Sequence, residues 1–406
     1  MILTQCAVCA TELGLTLGKK CGRCSTRYCG PACQEQHWKE GGHDKLCKKI
    51  KRSGGAEQYH ADKKYTETVT VAVKKCAEDT KGQTCYICTQ ALHWKTKEGL
   101  VRGCSCRGTA GFVHVSCLAE QAKILYAEVE ENNLGHEKME AAMNRWSTCS
   151  LCEQEYQGVV RCALGWACWK TYVGRPETDV MLSSAMTELG NGLYHAKHYE
   201  DALLVRETGL SILQRVGASE PYILITKGNM ACAYRELGRF DEANVLRQEV
   251  YSGTLKINGA EHYDTLREAF NYATSLERQD RLEEAMSLLR KTMPVARRVL
   301  GEDHDLTLSL RWIYANILSM NESTADLSEA VTTLESVAMS YKRVLGQAHP
   351  ETPKVQSALQ KARKKLAWAH ASRDATDSYT RSHGSMLLAK GMASLELSEL
   401  KDSVGL

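Results

Sequence analysis

The stretch NYATSLERQDRLEEAMSLLRKTMPVARRVLGEDHDLTL, residues 271–308, contains the sequence pattern that best indicates the fold of this chain. It contains a helical segment rich in Ala, Leu and Tyr, a short turn, and a second helical segment that ends in Arg-Arg-Val-Leu-Gly. Cations favour a helix C-terminus, and Gly301 can adopt the left-handed cap conformation without a Cβ penalty. Such a helix pair cannot bury its apolar face alone, so stacked neighbours must build a continuous superhelix.

The same unit recurs through the second half of the chain. An alanine series and a glycine series mark the repeat: Ala202, Ala243, Ala285 and Ala330, and Gly217, Gly259, Gly301 and Gly346. Successive members lie 41–45 residues apart, a spacing typical of paired helices. The chain has only 3 Phe and 6 Pro, which also favours helices over sheets. The sequence therefore predicts a mainly α fold whose second half is an α-α superhelix.

These units resemble tetratricopeptide repeats of the kinesin-light-chain type over residues 178–368. In that family, Asn residues on the first helix of each unit line a groove and hydrogen-bond extended peptides, which implies this role for Asn229 and Asn271. The fourth unit has Ile313 at this position, and a merely solvated Asn is the alternative interpretation. A histidine stands three residues after each of the last three repeat glycines: His262, His304 and His349. Their regular placement indicates a structural turn rather than a metal or catalytic site.

The cysteines indicate metal binding in the first half. There are 18, and all but Cys232 precede residue 169. In an intracellular chain, clustered Cys-x2-Cys pairs with interspersed His indicate zinc ligands rather than disulfides. Counting four Zn²⁺ ions and fourteen bound thiolates changes the formal charge from +3 to about −3. This balance argues against a nucleic-acid-binding protein.

The first ligand cluster supplies seven Cys and one His: Cys6, Cys9, Cys21, Cys24, Cys29, Cys33, His43 and Cys47. Eight ligands make two tetrahedral zinc sites, because Cys-x2-Cys lets two sulfurs reach one metal and Cys-x3-Cys fits one helical turn. A segment this short cannot fold on apolar burial alone, so zinc must supply stability. CGRCSTRYCGPACQEQHWKEGGHDKLC resembles the MYND zinc finger. The cross-brace of that family implies one zinc on Cys6, Cys9, Cys29 and Cys33, and the other on Cys21, Cys24, His43 and Cys47.

The MYND resemblance also implies a peptide-binding surface. Members commonly bind proline-containing peptides through a Gln and a Trp, which fall here on Gln34 and Trp38. The small polar residue that helps in some members is replaced by Gly22. The alternative is that Trp38 only caps the small core.

A second octet follows: Cys85, Cys88, Cys104, Cys106, His114, Cys117, Cys149 and Cys152. CSCRGTAGFVHVSCL and TCSLCEQEY resemble the RING-CH variant rather than a PHD finger, because only one residue separates the third and fourth ligands. The cross-brace of the RING-CH family implies one zinc on Cys85, Cys88, His114 and Cys117, and the other on Cys104, Cys106, Cys149 and Cys152. The sequence thus predicts four Zn²⁺ per chain.

A RING has no catalytic group of its own and holds a ubiquitin-conjugating enzyme in a reactive conformation through an apolar patch. Ile87 and Leu151 occupy the contact positions of the family with suitable apolar residues. The Trp often found after the sixth ligand is Gln121, and the basic residue that follows the last ligand in active members is Glu153. Trp146 can replace the aromatic only if the insert between the sixth and seventh ligands, two helical segments around a turn at 132–135, folds back.

The remaining segments connect these parts. We predict a MYND-type finger at 1–52, a connecting helix at 53–80, a RING-CH-type finger at 81–158, a docking helix at 159–177, repeats at 178–368 and a polar tail at 369–406. Cys76, on the connecting helix, has no evident partner, while Cys162 and Cys168 are predicted to be small buried residues. The basic run 48–52 is either a nuclear-import signal or a helix end. Residues 386–400 have amphipathic spacing.

These features predict an adaptor that binds proteins or peptides. Its RING-CH module either recruits a ubiquitin-conjugating enzyme, as a ligase, or serves a scaffold without enzymatic output. We find no nucleotide-binding fingerprint and expect no small-molecule substrate. No stretch free of charged residues approaches the ~18 residues of a membrane span, and the N-terminus lacks a leader. We expect a cytoplasmic protein, with the nucleus as the alternative.

Overall fold

The computed structural model describes residues 5–11, 13, 18–321, 323–344, 346 and 351–373. The protein is 68% helical with 15 helices in this described part, so the predicted mainly α fold class is confirmed. The α-helices are α1 Pro31–Lys39, α2 His43–Arg52, α3 Ala56–Cys76, α4 Val115–Glu131, α5 His136–Met143, α6 Gly158–Tyr172, α7 Val180–His195, α8 Tyr199–Arg215, α9 Glu220–Glu236, α10 Phe240–Asn258, α11 Tyr263–Arg278, α12 Leu282–Leu300, α13 Asp305–Leu318, α14 Thr324–Val344 and α15 over 351–373. His349 and the tail segment 386–400 lie outside the described residues.

Extended structure is confined to the zinc modules among the described residues. Strands β1 Lys19–Lys20 and β2 Arg27–Tyr28 pair antiparallel, with Lys19 opposite Tyr28. Isolated antiparallel bridges join Val101 to Val113 and Thr148 to Glu155 in the second module. These short pairings position the ligands, and the helices carry the rest of the structure.

The chain divides into two compact units, residues 1–250 and 251–406. In the first unit, the first zinc module has a small core of its own, formed by ligand cysteines with Leu13, Tyr28 and Ile50. Helix α3 begins on this core, where the Ala56 amide donates to the Cys24 carbonyl at 3.0 Å. The rest of α3 packs on the second module, so this helix belongs to both cores.

The second zinc module shares one large core with α3, α6, α7 and α8. Helix α6 is buried along nearly its whole length, as predicted for a docking helix. Two glycines let α6 and α7 approach closely: a Cβ on Gly165 would lie 2.8 Å from the Glu188 carbonyl, and one on Gly192 would lie 2.8 Å from that of Arg161. The thiols Cys162 and Cys168 are buried in the same large core, as expected of small core residues.

The paired repeat helices follow the periodic residues. The repeat alanines are all buried near the start of the second helix of each pair: Ala202, Ala243, Ala285 and Ala330. Gly217, Gly259, Gly301 and Gly346 have φ between 68° and 96°, the positive range that glycine adopts without a Cβ penalty. Gly301 has ψ of 162°, so its cap differs from the αL conformation predicted for it. The imidazole Nδ1 of His262 accepts the Asp264 amide, and that of His304 accepts the Leu306 amide. These histidines are N-caps, which explains their regular placement.

In the second unit, α11 to α14 and α15 form two neighbouring cores. One is built on Leu276, Leu289 and Leu310, and the other joins α13, α14 and α15 around Leu334 and Tyr341. Across the described part of the chain, none of the helices combines the length and apolar character needed to span a lipid bilayer.

Candidate metal centres and partner surfaces

Sixteen Cys and His side chains gather into four tetrads in the described chain. They are Cys6, Cys9, Cys29 and Cys33; Cys21, Cys24, His43 and Cys47; Cys85, Cys88, His114 and Cys117; and Cys104, Cys106, Cys149 and Cys152. Within each tetrad, all ligand atoms lie within 4.8 Å of one another. These are the groupings that two successive cross-braces imply, with distant parts of the sequence alternating between the two sites of each module.

The spacing of the ligand atoms tests whether zinc fits. Zn–S bonds of about 2.3 Å in a tetrahedron place sulfurs about 3.8 Å apart. The Sγ atoms of Cys21 and Cys47 are 3.8 Å apart, and so are those of Cys106 and Cys149. Cys9 Sγ and Cys29 Sγ are slightly closer, at 3.4 Å. The tetrads fit four zinc ions, which confirms the predicted cofactor content.

The two histidines present different nitrogens to their tetrads. His43 Nε2 lies 3.4 Å from Cys24 Sγ, whereas His114 Nδ1 lies 3.3 Å from Cys88 Sγ. The other nitrogen of His114, Nε2, is 3.3 Å from the Ala91 carbonyl and can donate to it. A ligand histidine held by such a second bond is fixed in both tautomer and orientation.

All four Cys-x2-Cys turns close through the same backbone bonds. The amide of the first Cys donates to the carbonyl five residues on, as from Cys85 to Gln90 at 3.0 Å, and the residue after the second Cys donates back. That residue is left-handed in every turn although none is glycine: Ala10, Ser25, Thr89 and Glu153, with φ of 56–61°. A left-handed non-glycine residue costs roughly 1–2 kcal/mol, so ligand geometry here overrides backbone preference.

The local environment prepares some thiols for metal binding. A hydrogen bond from the Thr11 hydroxyl, together with backbone donors, lowers the pKa of Cys9 to about 6. Burial instead raises the pKa of Cys47 to about 12 and raises that of Cys117. Because the thiolate is the ligand, metal binding must displace protons from the buried cysteines.

Sequence comparison gives three matches to known domains. The MYND finger matches residues 6–47, the RING-variant domain matches residues 85–152, and the tetratricopeptide repeat matches 224–264 and 271–305. The chain contains a MYND finger, a RING-variant domain and tetratricopeptide repeats. Comparison with curated proteins gave no match.

Solved structures with similarity to this chain include kinesin-light-chain-type proteins. The kinesin light chain TPR-like repeats of Podosopora anserina are 18% identical, cover 57% of this chain and 98% of their own, and give a TM-score of 0.40. BtubC (BKLC) from P. vanneervenii is 13% identical, covers 65% of this chain and 91% of its own, and gives a TM-score of 0.39.

In the RING-variant domain, the two apolar residues between paired ligands face outward. Ile87 is 37% exposed and Leu151 is 51% exposed. The amide of Ile87 donates to Cys85 Sγ and that of Leu151 to Cys149 Sγ, each at 3.4 Å. The bonds that shape each metal site therefore also hold the side chain that an outside partner would contact.

Trp146 does not supply the missing aromatic contact. The insert does fold back, since α4 packs on α5 and the turn falls at the expected residues. However, Trp146 is fully buried and packs edge-on against Tyr172, with ring centroids 5.9 Å apart. Gln121 is half-buried and Glu153 is exposed, so the patch consists of Ile87 and Leu151 without an aromatic from the insert.

The predicted peptide residues occupy partly accessible positions. Trp38 of the MYND finger is 43% exposed and lies edge-on to His43 at 5.8 Å, while Gln34 is half-buried. Asn229 and Asn271 are both half-buried on the first helices of their repeats. Asn271 Nδ2 donates to Glu268 at 3.1 Å, and Ile313 is buried in the second-unit core. The row of Asn side chains thus does not extend to the fourth repeat.

Sequence reasoning missed one group that joins the RING-variant domain to the repeats. Arg161 on α6 is buried, donates to the Trp146 carbonyl at 3.1 Å and pairs with Glu188 of α7 at 2.6 Å. A buried charge needs such partners. The only sequence signal for this group is an arginine inside an otherwise apolar helix.

Proposed function

We propose that this protein is a RING-type ubiquitin ligase that recruits a conjugating enzyme to proteins held by its MYND finger and repeats. The domain matches support a protein-interaction adaptor with zinc fingers and tetratricopeptide repeats. The observation that carries the ligase proposal is the pair of exposed apolar side chains, Ile87 and Leu151, held at the two metal turns of a RING-variant domain.

In this proposal the chain contributes no nucleophile and no acid or base. Ubiquitin arrives as a thioester on the conjugating enzyme, and the domain acts by holding that enzyme in a reactive orientation. Ile87 and Leu151 would bury apolar surface against the enzyme, and the zinc ions when bound supply the rigidity of the turns. Removing either side chain should weaken recruitment without disturbing the ligands.

A scaffold without enzymatic output is the second candidate, and three side chains favour it. Glu153 cannot donate the hydrogen bonds of the basic residue found in active members, Gln121 replaces the helix aromatic, and Trp146 is buried. A weakened ligase and a scaffold therefore differ in whether the patch of Ile87 and Leu151 suffices to recruit a conjugating enzyme.

The position of the target-binding parts supports the ligase proposal. Helix α6 follows the last ligand of the RING-variant domain and packs on α7 through Gly165 and Gly192. The Arg161–Glu188 ion pair crosses the same contact. A target bound at the first repeat would be held in a fixed orientation to the RING patch rather than on a flexible linker.

An auto-ubiquitination assay with a panel of conjugating enzymes tests the proposal. We expect Ile87→Ala to abolish the activity while metal analysis still returns four zinc ions per chain. Leu92→Ala is the matched control, since Leu92 is an exposed apolar residue of the same domain outside the metal turns. Glu153→Arg should raise the rate of ubiquitin discharge, because an added charged hydrogen bond would lower the activation barrier by at most about 1.5–3 kcal/mol. If neither wild type nor Glu153→Arg shows ubiquitin transfer with any conjugating enzyme, the ligase proposal is wrong and the scaffold function stands.

We also propose a cytoplasmic location, with the nucleus as the alternative. All 18 cysteines are unbridged, which fits a compartment that keeps thiols reduced. The basic residues near 48–52 lie in the last turn of α2, where cations stabilise a helix end, which supports the interpretation of this run as a helix end. Imaging of the tagged chain, with Lys51→Gln/Arg52→Gln as the import control, tests both statements.

A further inference from the structure

A groove of about 670 Å³ lies in the second unit, between α11, α13 and α15. Its volume is in the range of ligand-binding pockets in proteins. The floor is mostly apolar and includes Trp312, Met320 and Ala358. We call it the C-terminal groove.

The rim of the C-terminal groove is basic. Lys354, Lys361 and Lys365 line it from α15, against the single carboxylate of Glu277 from α11. Lys365 Nζ donates to the Ser319 carbonyl at 2.7 Å, and Lys354 Nζ pairs with Glu351 at 2.6 Å. Lys361 makes neither kind of contact within the described chain. An apolar floor with a cationic rim selects a ligand that carries both aliphatic and acidic side chains.

The chain itself contains a segment of this chemistry C-terminal to α15. Residues 392–402, MASLELSELKD, combine three leucines and a methionine with Glu396, Glu399 and Asp402 against one lysine. We call them the acidic tail segment. The residues between α15 and this segment, 374–391, are polar in their first part and carry no such combination of leucine and acid.

The connection is long enough for the segment to reach the groove. From the end of α15 back to Lys354 the helix measures about 28 Å, at 1.5 Å per residue. The intervening residues 374–391 can extend to about 60 Å. A short flexible tether gives an effective concentration in the millimolar range, on the order of 1 mM, so even a weak contact would be populated.

We propose that the acidic tail segment occupies the C-terminal groove of its own chain and competes there with external acidic peptides. The leucines would cover the apolar floor, and the carboxylates would pair with the lysine rim, Lys361 in particular. The groove is then a peptide site that opens when the tail is displaced. This inference does not depend on ligase activity.

Hydrogen exchange on the full chain tests the proposal directly. Leu395→Ser/Leu397→Ser/Leu400→Ser should raise amide exchange in α13 and α15 about tenfold, the factor expected when the occupant's Kd is about a tenth of its effective concentration. The same acceleration is expected for Lys361→Glu. Lys364→Glu is the matched control, since this substitution makes the same charge change on the same helix at a residue that does not line the groove. Unchanged exchange in the tail variant would overturn the proposal.

A labelled peptide of residues 386–403 supplies the second arm. It should bind the full-length tail variant about tenfold more tightly than the intact chain, whose own tail competes. Lys361→Glu should weaken this binding about tenfold, and Lys364→Glu should leave it unchanged. Equal binding to the intact chain and the tail variant, or equal loss with both lysine variants, would overturn the proposal. Protection that grows with protein concentration would also overturn it, since the occupant would be the tail of a second copy.

Discussion

The two zinc modules have the same local structure in different surroundings. Both contain two Cys-x2-Cys turns closed by the same pair of backbone bonds, with a left-handed non-glycine residue after the second Cys. The MYND finger adds to these a small core of its own. The RING-variant domain instead lies in a core that continues through α3 and α6 into the first repeat. The geometry of the ligands is therefore the same in both surroundings. The extent of cooperative unfolding, by contrast, should depend on the core that each module shares.

The two modules should differ most in how far unfolding spreads when one metal site is lost. A structural zinc contributes about 10–16 kcal/mol of apparent binding energy. We expect Cys85→Ser to release zinc and to increase exchange in α6 and α7 as well as in the RING-variant domain. Cys21→Ser should release zinc and unfold only the MYND finger. Metal analysis with hydrogen exchange checks both, and protected α6 and α7 in Cys85→Ser would show that the shared core is stable without its zinc.

Breaking the buried ion pair should produce the next largest difference. Glu188→Gln leaves Arg161 buried without a compensating charge, so we expect α6 and α7 to lose roughly 3 kcal/mol of local stability. Glu57→Gln is the comparison at the MYND finger, where Arg27 is as buried as Arg161 but the Glu57 carboxylate is half-exposed and lies 3.6 Å away. Its effect should be smaller than that of Glu188→Gln, because solvent already screens the Glu57 charge. Local opening energies from native-state exchange measure both, and equal effects would contradict the difference in burial.

Steric change at the helix contact should have a smaller effect. Gly165→Ala places a Cβ where the Glu188 carbonyl lies 2.8 Å away, so α6 and α7 must separate at a cost of about 1–3 kcal/mol. Gly22→Ala, between two MYND ligands, meets no atom within 4 Å. Thermal unfolding of the two variants should show a lower transition temperature for the first and little change for the second. A neutral Gly165→Ala would mean that this contact is loose.

The smallest effect on stability is expected at the MYND surface. Trp38→Ala removes a side chain that is nearly half-exposed, so the loss of stability should be modest and all zinc should remain. Binding of short proline-containing peptides should nevertheless be lost, as titration of a labelled peptide would show. Retained binding would assign Trp38 to the small core alone.

Periodicity and ligand spacing predicted most of the fold. The alanine and glycine series predicted the helix pairs because buried small residues and caps with positive φ recur in each repeat. The helical hairpin between the sixth and seventh ligands was also predicted, with its turn at residues 132–135. Cys76 is a different case, since its partner is a backbone atom: Sγ lies 3.6 Å from the Arg102 carbonyl, and no sequence pattern indicates such a contact.

The amino-acid sequence alone identified the sixteen zinc ligands, since each octet of Cys and His supplies two tetrahedral sites, and the resemblance to two cross-braced families implied which ligands share a metal. It also determined the helical repeats. Only the tertiary structure decided which side chains are accessible. Trp146 and Arg161 lie in segments whose composition allows either an exposed or a buried position, and their burial follows from the packing of α6 against residues that are distant in sequence. The C-terminal groove likewise exists only because three helices meet, since no local pattern brings Trp312 and Lys361 to one surface.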